Sequence, residues 1–429
     1  MKRLVLLHTN DLHGRIDALG RVATMVQRIR KEERDATVIY ADAGDIEETT
    51  TRLSNLTKGV AMHRLLSAAD CDVACVGNAA WLRYGPQVIA EHARVARYPL
   101  LLANLRPVPG AVATALIEDV GFVGVTDPFR DFLESGFDYG VEALDEVEVV
   151  RAGSRELRAQ GAGLVVCLSH LGLNAFPGGT EPAFSDRQLA EALHGEVDLV
   201  LGGHTHDLLP QGEWVGDVLV AQAGEYGEHL GRIDANGKTF QATVLAVPED
   251  MPVHPKVVAE VERSEADLAA SLDEVLAELD RPLDARWIAE MIQERMGAEV
   301  ALVTPANVLD RVLPPGPLRR RELWDACHST ANPGVVELTG VQLRRLIEKG
   351  TDPEFQRTTS RPLRGKSRGR LEVVGEPEEI DAARTYVVAA TDFELERYGG
   401  MVEDGWNLRI RYDFPTIVRE AVEERLLGK

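Results

Sequence analysis

Positive charge, long apolar runs, paired cysteines and internal repeats are all scarce in this chain. Its 429 residues carry 47 Lys+Arg against 69 Asp+Glu, a formal net charge of −22. Nucleic-acid binding is driven by clustered cations that replace counterions, so a nucleic-acid partner is not expected. No stretch approaches the roughly 18–20 apolar residues of a membrane-spanning helix, and no membrane partner is expected either. The apolar run Leu4-Val5-Leu6-Leu7 follows Lys2-Arg3, but it is shorter than the roughly 7–15 residues of a secretory core. It reads as a buried strand. The chain as written is expected to be cytoplasmic, or extracytoplasmic if a leader has been removed. Cys71, Cys75, Cys167 and Cys327 form no C-x-x-C pair, and the first three lie inside apparent strands; buried, reduced thiols are expected. With 45% hydrophobic residues, a chain of this length has enough apolar surface for two or three folded domains, which excludes disorder over most of it.

Through the first half, short aliphatic runs alternate with helical patterns, the signature of an α/β fold. Strands are predicted over Leu4–Leu7, Thr37–Tyr40, Asp72–Val76, Leu100–Ala103, Gly121–Val125, Leu164–Leu168 and Leu199–Leu201, with helices over Gly20–Lys31, Gly59–Ala69 and Ser185–Leu193. The pattern changes near Pro248. Pro252 and Pro255 introduce a charged stretch with helical spacing, Lys256 to Leu279, which reads as an interdomain helix. A second unit is expected from Pro282 onward, with a helix over Trp287–Met296, a strand over Val300–Val303 and a turn at Pro314–Pro317. The division is therefore 1–250, a linker helix over 251–281, and 282–429. Arg361–Arg370 reads as a solvated loop or hairpin face.

Polar residues sit just past strand after strand, where open α/β sheets place their ligands. Asp11-Leu12-His13, Gly44-Asp45, Gly77-Asn78, His170 and Gly202-Gly203-His204-Thr205-His206 follow five different predicted strands. Each alone has an ordinary structural explanation: a turn, a helix cap, or a satisfied core histidine. Two imidazoles one residue apart on a glycine-rich strand end are harder to explain that way. Together these ends supply seven nitrogen and oxygen donors, too many for one cation and suited to two. Asp45, placed between the others, is the natural bridge.

The segments Leu7-His8-Thr9-Asn10-Asp11-Leu12-His13-Gly14, Asp42-Ala43-Gly44-Asp45, Val76-Gly77-Asn78, Leu168-Ser169-His170-Leu171-Gly172 and Gly202-Gly203-His204-Thr205-His206 resemble the motifs of the calcineurin-like metallophosphoesterases, in their 5′-nucleotidase branch. Leu338-Thr339-Gly340 and Thr385-Tyr386-Val387-Val388-Ala389 are similar to that branch's C-terminal substrate domain. The resemblance implies a four-layer α/β/β/α sandwich followed by a smaller α/β domain. It also implies two divalent metal ions (Mn, Zn, Fe, Co or Ni), one held by Asp11, His13, Asp45 and His206 and the other by Asp45, Asn78, His170 and His204. The activity implied is attack of metal-activated water on a phosphoester of a nucleotide or related small phosphorylated compound.

The sequence also departs from that pattern. Family members carry a catalytic histidine directly after the asparagine ligand and an aspartate a few residues on. Here Ala79 stands in the first position and Leu82 or Arg83 in the second. Arg83 is a candidate replacement for the lost positive charge. In the second unit, Arg311 lies near the expected phosphate and ribose contact, and Trp406, in Gly399–Trp406, approximates one wall of the base clamp. His328-Ser329 occupies the place of the other wall and is not aromatic. Altered or reduced phosphoesterase activity is therefore expected. The alternatives are a sulfate thiohydrolase-like hydrolase on the same centre, with Trp81 echoing that pattern, and a metal-binding pseudoenzyme.

Overall fold

The computed structural model describes residues 3–130, 139–174, 182–358, 363, 366–375, 379–403 and 405–429. The chain divides into two compact units, residues 1–266 and 267–429.

In the first unit the strands of the two main sheets are β1 (Leu4–Thr9), β2 (Thr37–Asp42), β3 (Val73–Cys75), β4 (Leu100–Leu101), β5 (Thr114–Ile117), β6 (Val120–Thr126), β7 (Leu164–His170), β8 (Leu199–Leu201), β9 (Glu213–Val215), β10 (Val218–Ala221), β11 (His229–Asn236) and β12 (Thr239–Ala246). They form two six-stranded sheets, in the orders β12-β11-β1-β2-β3-β4 and β9-β10-β8-β7-β6-β5. Strands β1 to β4 run parallel, as do β6, β7, β8 and β10. Antiparallel strands close both margins of the second sheet and the β1 side of the first, whose other margin is the parallel strand β4.

Strands covered on both faces read as continuous aliphatic runs, because alternate side chains meet two different cores. Leu4 and Leu6 of β1 join Ile39, Phe122, Val166, Leu199 and Ile233 in a core shared by the two sheets. Val5 and Leu7, pointing the other way, are equally buried. The far face of the second sheet packs Val123, Val165 and Val200 against Val150 and Leu157 of the helix Glu146–Ala159 and Leu189 of the helix Asp186–Ala192. The helix Ile16–Glu32 buries Leu19, Val22, Val26 and Ile29. This is the α/β/β/α layering expected. The parallel inner strands bring the C-terminal ends of β1, β2 and β3, and those of β6, β7 and β8, to common sheet edges.

The second unit holds a β-ribbon of β13 (Val275–Leu279) with β15 (Gly316–Arg319). Its five-stranded sheet has the order β17 (Glu372–Val374), β14 (Val300–Val303), β18 (Thr385–Thr391), β16 (Pro333–Thr339), β19 (Arg411–Tyr412). Its core joins Val300, Leu302, Leu338 and Val388 to Leu343 and Leu346 of the helix Gly340–Thr351.

Two expectations need correction. The helix expected over Lys256–Leu279 spans Pro255–Leu272, and the residues after it form β13, which pairs antiparallel with β15. Apolar spacing continues through Leu276 and Leu279, but the partner strand, distant in sequence, supplies the ladder that turns those residues into a strand. The Arg361–Arg370 segment is not solvated throughout. Arg368 is buried, with its guanidinium carbon 4.3 Å from the Phe355 ring centroid and a 2.6 Å hydrogen bond donated to the Gly399 carbonyl. Arg361 and Arg364 lie outside the described residues, as does Asp404 within Gly399–Trp406. All four cysteines are free and buried. No helix among the described residues is long and apolar enough to cross a membrane.

Candidate metal centre

Three of the strand ends, those of β1, β2 and β8, turn sharply, and the turn is what aims their donors. Asp11, His13, Asp45, His204 and His206 all have left-handed backbone, with φ of 51°, 41°, 55°, 77° and 61°. Such conformations disfavour non-glycine residues by roughly 1–2 kcal/mol each and persist only where surrounding contacts fix them. Those contacts are present. Asp11 N–H donates to Gly44 O at 2.9 Å and His13 N–H to Asp45 O at 2.9 Å, lacing the ends of β1 and β2 together. The His204 N–H donates to Asp11 Oδ2 at 2.9 Å, joining the second sheet to the first.

The side chains converge. His206 Nε2 lies 3.2 Å from His13 Nε2 and 3.3 Å from Asp11 Oδ1. His170 Nε2 lies 3.3 Å from Asp45 Oδ2 and 3.8 Å from Asp11 Oδ1. Asp11, His13 and His206 form one group with metal-ligand spacing, and Asp11, Asp45 and His170 a second. The His170 and His204 rings stand 5.3 Å apart. Asn78 opens the helix Asn78–Tyr84 after β3, and the N–H of the next residue, Ala79, donates to Asp45 Oδ1 at 2.8 Å.

Several features fit cations here. Asn78 Oδ1 is buried with no hydrogen-bond partner, and so is His170 Nε2. His170 Nδ1 donates to the Ala43 carbonyl at 2.7 Å, which aims Nε2 at the carboxylates. His206 uses Nδ1 on Glu225 in the same way. A histidine fixed through its far nitrogen by a carbonyl or carboxylate is the usual setting of a metal ligand. Burial opposes ionisation of Asp11, but His170, His13 and His206 outweigh it and hold the carboxyl well below the ordinary range. Burial likewise opposes charge on His13 and His170, yet Asp11 and Asp45 beside them push the two rings up to about 9 and about 10. The buried carboxylates thus make a region that attracts positive charge strongly.

The remaining sequence candidates lie elsewhere. Arg83 is on the helix that Asn78 opens, with its guanidinium carbon 5.3 Å from the Tyr84 ring centroid. Arg311 is exposed and Trp406 is partly buried against the core of the second unit. Sequence reasoning missed Asp127, at the end of β6, whose Oδ2 lies 3.6 Å from His204 Nε2. It also missed Asn10, which donates to Asp11 Oδ2 at 2.7 Å, and Glu225 behind His206. Asp127 carried the same signal as the others, a carboxylate just past a strand.

Residues 4–208 match the family model for calcineurin-like phosphoesterases, and residues 283–403 that for the 5′-nucleotidase C-terminal domain. The uncharacterized metallophosphoesterase YunD of Bacillus subtilis (strain 168) is 26% identical, over 99% of this chain and 96% of its own. The fold is similar to that of a 5′-nucleotidase precursor from Thermus thermophilus (TM-score 0.60, 20% identity, 99% of this chain and 96% of that one). It is similar to almost the same degree to the Thermus thermophilus sulfate thiohydrolase SoxB (TM-score 0.59, 19% identity, 100% and 94%). With the strand-end motifs, the layered sheets and both matched domains in sequence order, the chain belongs to the calcineurin-like metallophosphoesterases that carry a 5′-nucleotidase C-terminal domain.

Proposed function

We propose that the protein hydrolyses phosphoesters of small phosphorylated compounds, nucleotides among them, on a dinuclear centre. Asp11, His13, Asp45 and His206 hold one divalent ion, and Asp45, Asn78, His170 and His204 the other. The observation that carries this reading is the convergence of Asp11, His13, Asp45, His170 and His206 from separate strand ends, with His170 Nε2 among them and Asn78 Oδ1 both buried and making no hydrogen bond. Nitrogen and oxygen donors of this mix suit Mn, Zn, Fe, Co or Ni. Bound there, such ions polarise phosphoryl oxygens and lower the pKa of water.

The chain's own residues do the positioning. The Ala43 carbonyl and Glu225 orient His170 and His206, while the N–H of Ala79 fixes Asp45. Ala79 offers only a methyl where a proton donor would serve the leaving oxygen. Loss of such a donor costs on the order of 10²–10⁴ in rate. Substrates whose leaving group needs little protonation, phosphoanhydrides and aryl phosphates, are therefore preferred over a nucleoside 5′-monophosphate. Arg83, on the same helix, is proposed to supply positive charge, and Arg311 and Trp406 to contact substrate.

The test compares p-nitrophenyl phosphate with AMP under saturating manganese. Aryl phosphate turnover is expected to exceed that of AMP by about tenfold or more. Equal turnover overturns the leaving-group argument. Activity that survives Asp45→Asn overturns the centre itself.

A further inference from the structure

A second cluster of donors lies outside the strand-end set. Glu47, His63 and His92 are all buried, and one ligand-type atom from each falls within a sphere of metal-site size. Glu47 sits on the loop after β2, His63 on the helix Val60–Ala68 and His92 on the helix Val88–Val95. None of the chemistry proposed above uses them.

The hydrogen bonds on the far side of each ring set which nitrogen faces inward. His92 Nε2 lies 2.6 Å from the Lys58 carbonyl oxygen, which can only accept, so Nε2 carries the hydrogen. His92 Nδ1 then points inward, is buried, and has no hydrogen-bond partner. It stands 3.5 Å from Glu47 Oε1. With its hydrogen on Nε2, the neutral ring presents a lone pair at Nδ1. A lone pair facing a carboxylate oxygen is repulsive unless something positive lies between them. His63 differs: its Nε2 lies 2.7 Å from the same Glu47 oxygen and donates to it, while Nδ1 lies 2.8 Å from the Tyr98 hydroxyl, which can either donate or accept.

The spacing and packing agree with a cation. Ligand atoms about 2.0–2.1 Å from a tetrahedral zinc lie roughly 3.3 Å from one another, close to the observed 3.5 Å between His92 and Glu47. The 2.7 Å His63–Glu47 distance needs to open by about half an ångström on the same geometry. Gly59 keeps the cluster compact: a Cβ there would lie 2.7 Å from Glu47 Cγ and 2.9 Å from His92 Nε2.

We infer that Glu47, His63 and His92 bind a structural divalent transition-metal ion, of the zinc class, between the loop that carries Asp45 and the two helices behind it. The ion neutralises Glu47, takes the inward lone pair of His92 and, with the His63 hydrogen moved to Nδ1 toward the Tyr98 hydroxyl, that of His63 Nε2, and holds the Asp45 loop in place. Because the site is enclosed, the ion is taken up as the chain folds and exchanges slowly.

The test uses the full-length protein purified with Zn²⁺ as the only added metal. Anomalous diffraction at the zinc edge is expected to give a peak within bonding distance of Glu47, His63 and His92; no peak there overturns the inference. In solution, His92→Ala is expected to hold about one zinc fewer per chain than the wild type after dialysis against a weak chelator. An unchanged zinc content overturns the inference as well. If His92→Ala does not fold, the diffraction experiment on the wild type decides alone. Both readouts are independent of hydrolysis, so the phosphoesterase reading stands or falls separately.

Discussion

Ala79 and Gly77 flank the asparagine of the centre, and each fixes what the other can do. The Ala79 N–H holds Asp45 Oδ1 at 2.8 Å, so the backbone role of this position is kept while its side chain offers no proton. Ala79→His adds a group able to protonate a departing alkoxide. AMP turnover is expected to rise on the order of 10²-fold, with p-nitrophenyl phosphate turnover changing little. Unchanged AMP turnover in a folded, metal-loaded variant refutes the role given to position 79. Gly77 answers to space. A Cβ there would stand 2.1 Å from Asp45 Oδ1 and 2.3 Å from the Asp45 nitrogen, closer than real side chains approach. Gly77→Ala must push Asp45 aside, and displacement of a catalytic group by about 1 Å costs about 10²-fold. Loss of bound manganese with an unchanged circular dichroism spectrum is the expected signature; wild-type manganese content contradicts it.

The helix Asp186–Ala192 shows how an element that supplies no metal ligand steadies those that do. Ser185 caps it through a reciprocal bond with Gln188, and the first helical residue, Asp186, is fully buried. Asp186 accepts from Ser169 Oγ at 2.6 Å and from Gln222 Nε2 at 2.9 Å, tying the helix to the ends of β7 and β10 beside His170 and His204. Asp186→Ala leaves two buried donors without an acceptor, at about 1–3 kcal/mol each. Urea unfolding is expected to show a loss of about 2–4 kcal/mol, and Asp186→Asn a much smaller loss because an amide can serve both partners. Equal losses in the two variants contradict this account. The sequence revealed such elements unevenly. Strands buried on both faces announced themselves as aliphatic runs, and because those runs are parallel, the polar residues after them had to meet at sheet edges. That made the meeting of Asp11, His13, Asp45, His170 and His206 legible before any coordinate. Glu225 was not, since its link to His206 depends on how β10 returns beside β8. Nor was the strand β13, whose apolar spacing continues that of the preceding helix and whose partner β15 begins at Gly316. Local pattern reports the faces of an element; pairing across distant sequence decides its type.

At the scale of the molecule, a formal charge of −22 favours solubility but repels anions, so cations at the proposed centre would supply the local positive charge that a phosphorylated substrate needs. They also couple to stability. Every proposed ligand lies within residues 1–266, while residues 267–429 close their own core around Val300, Leu338 and Val388. An ion that binds only the folded state adds about 2.7 kcal/mol at a hundredfold excess over its dissociation constant. For a unit of this size, each kcal/mol moves the midpoint by about 2–4 °C, giving a rise of about 5–11 °C. Calorimetry of the full chain with and without excess manganese is therefore expected to move the transition of the first unit upward and leave that of the second in place. A chelator reverses the shift. If both transitions move together, metal binding reaches beyond the strand ends named here; if neither moves, those ends do not form a metal centre in the folded protein.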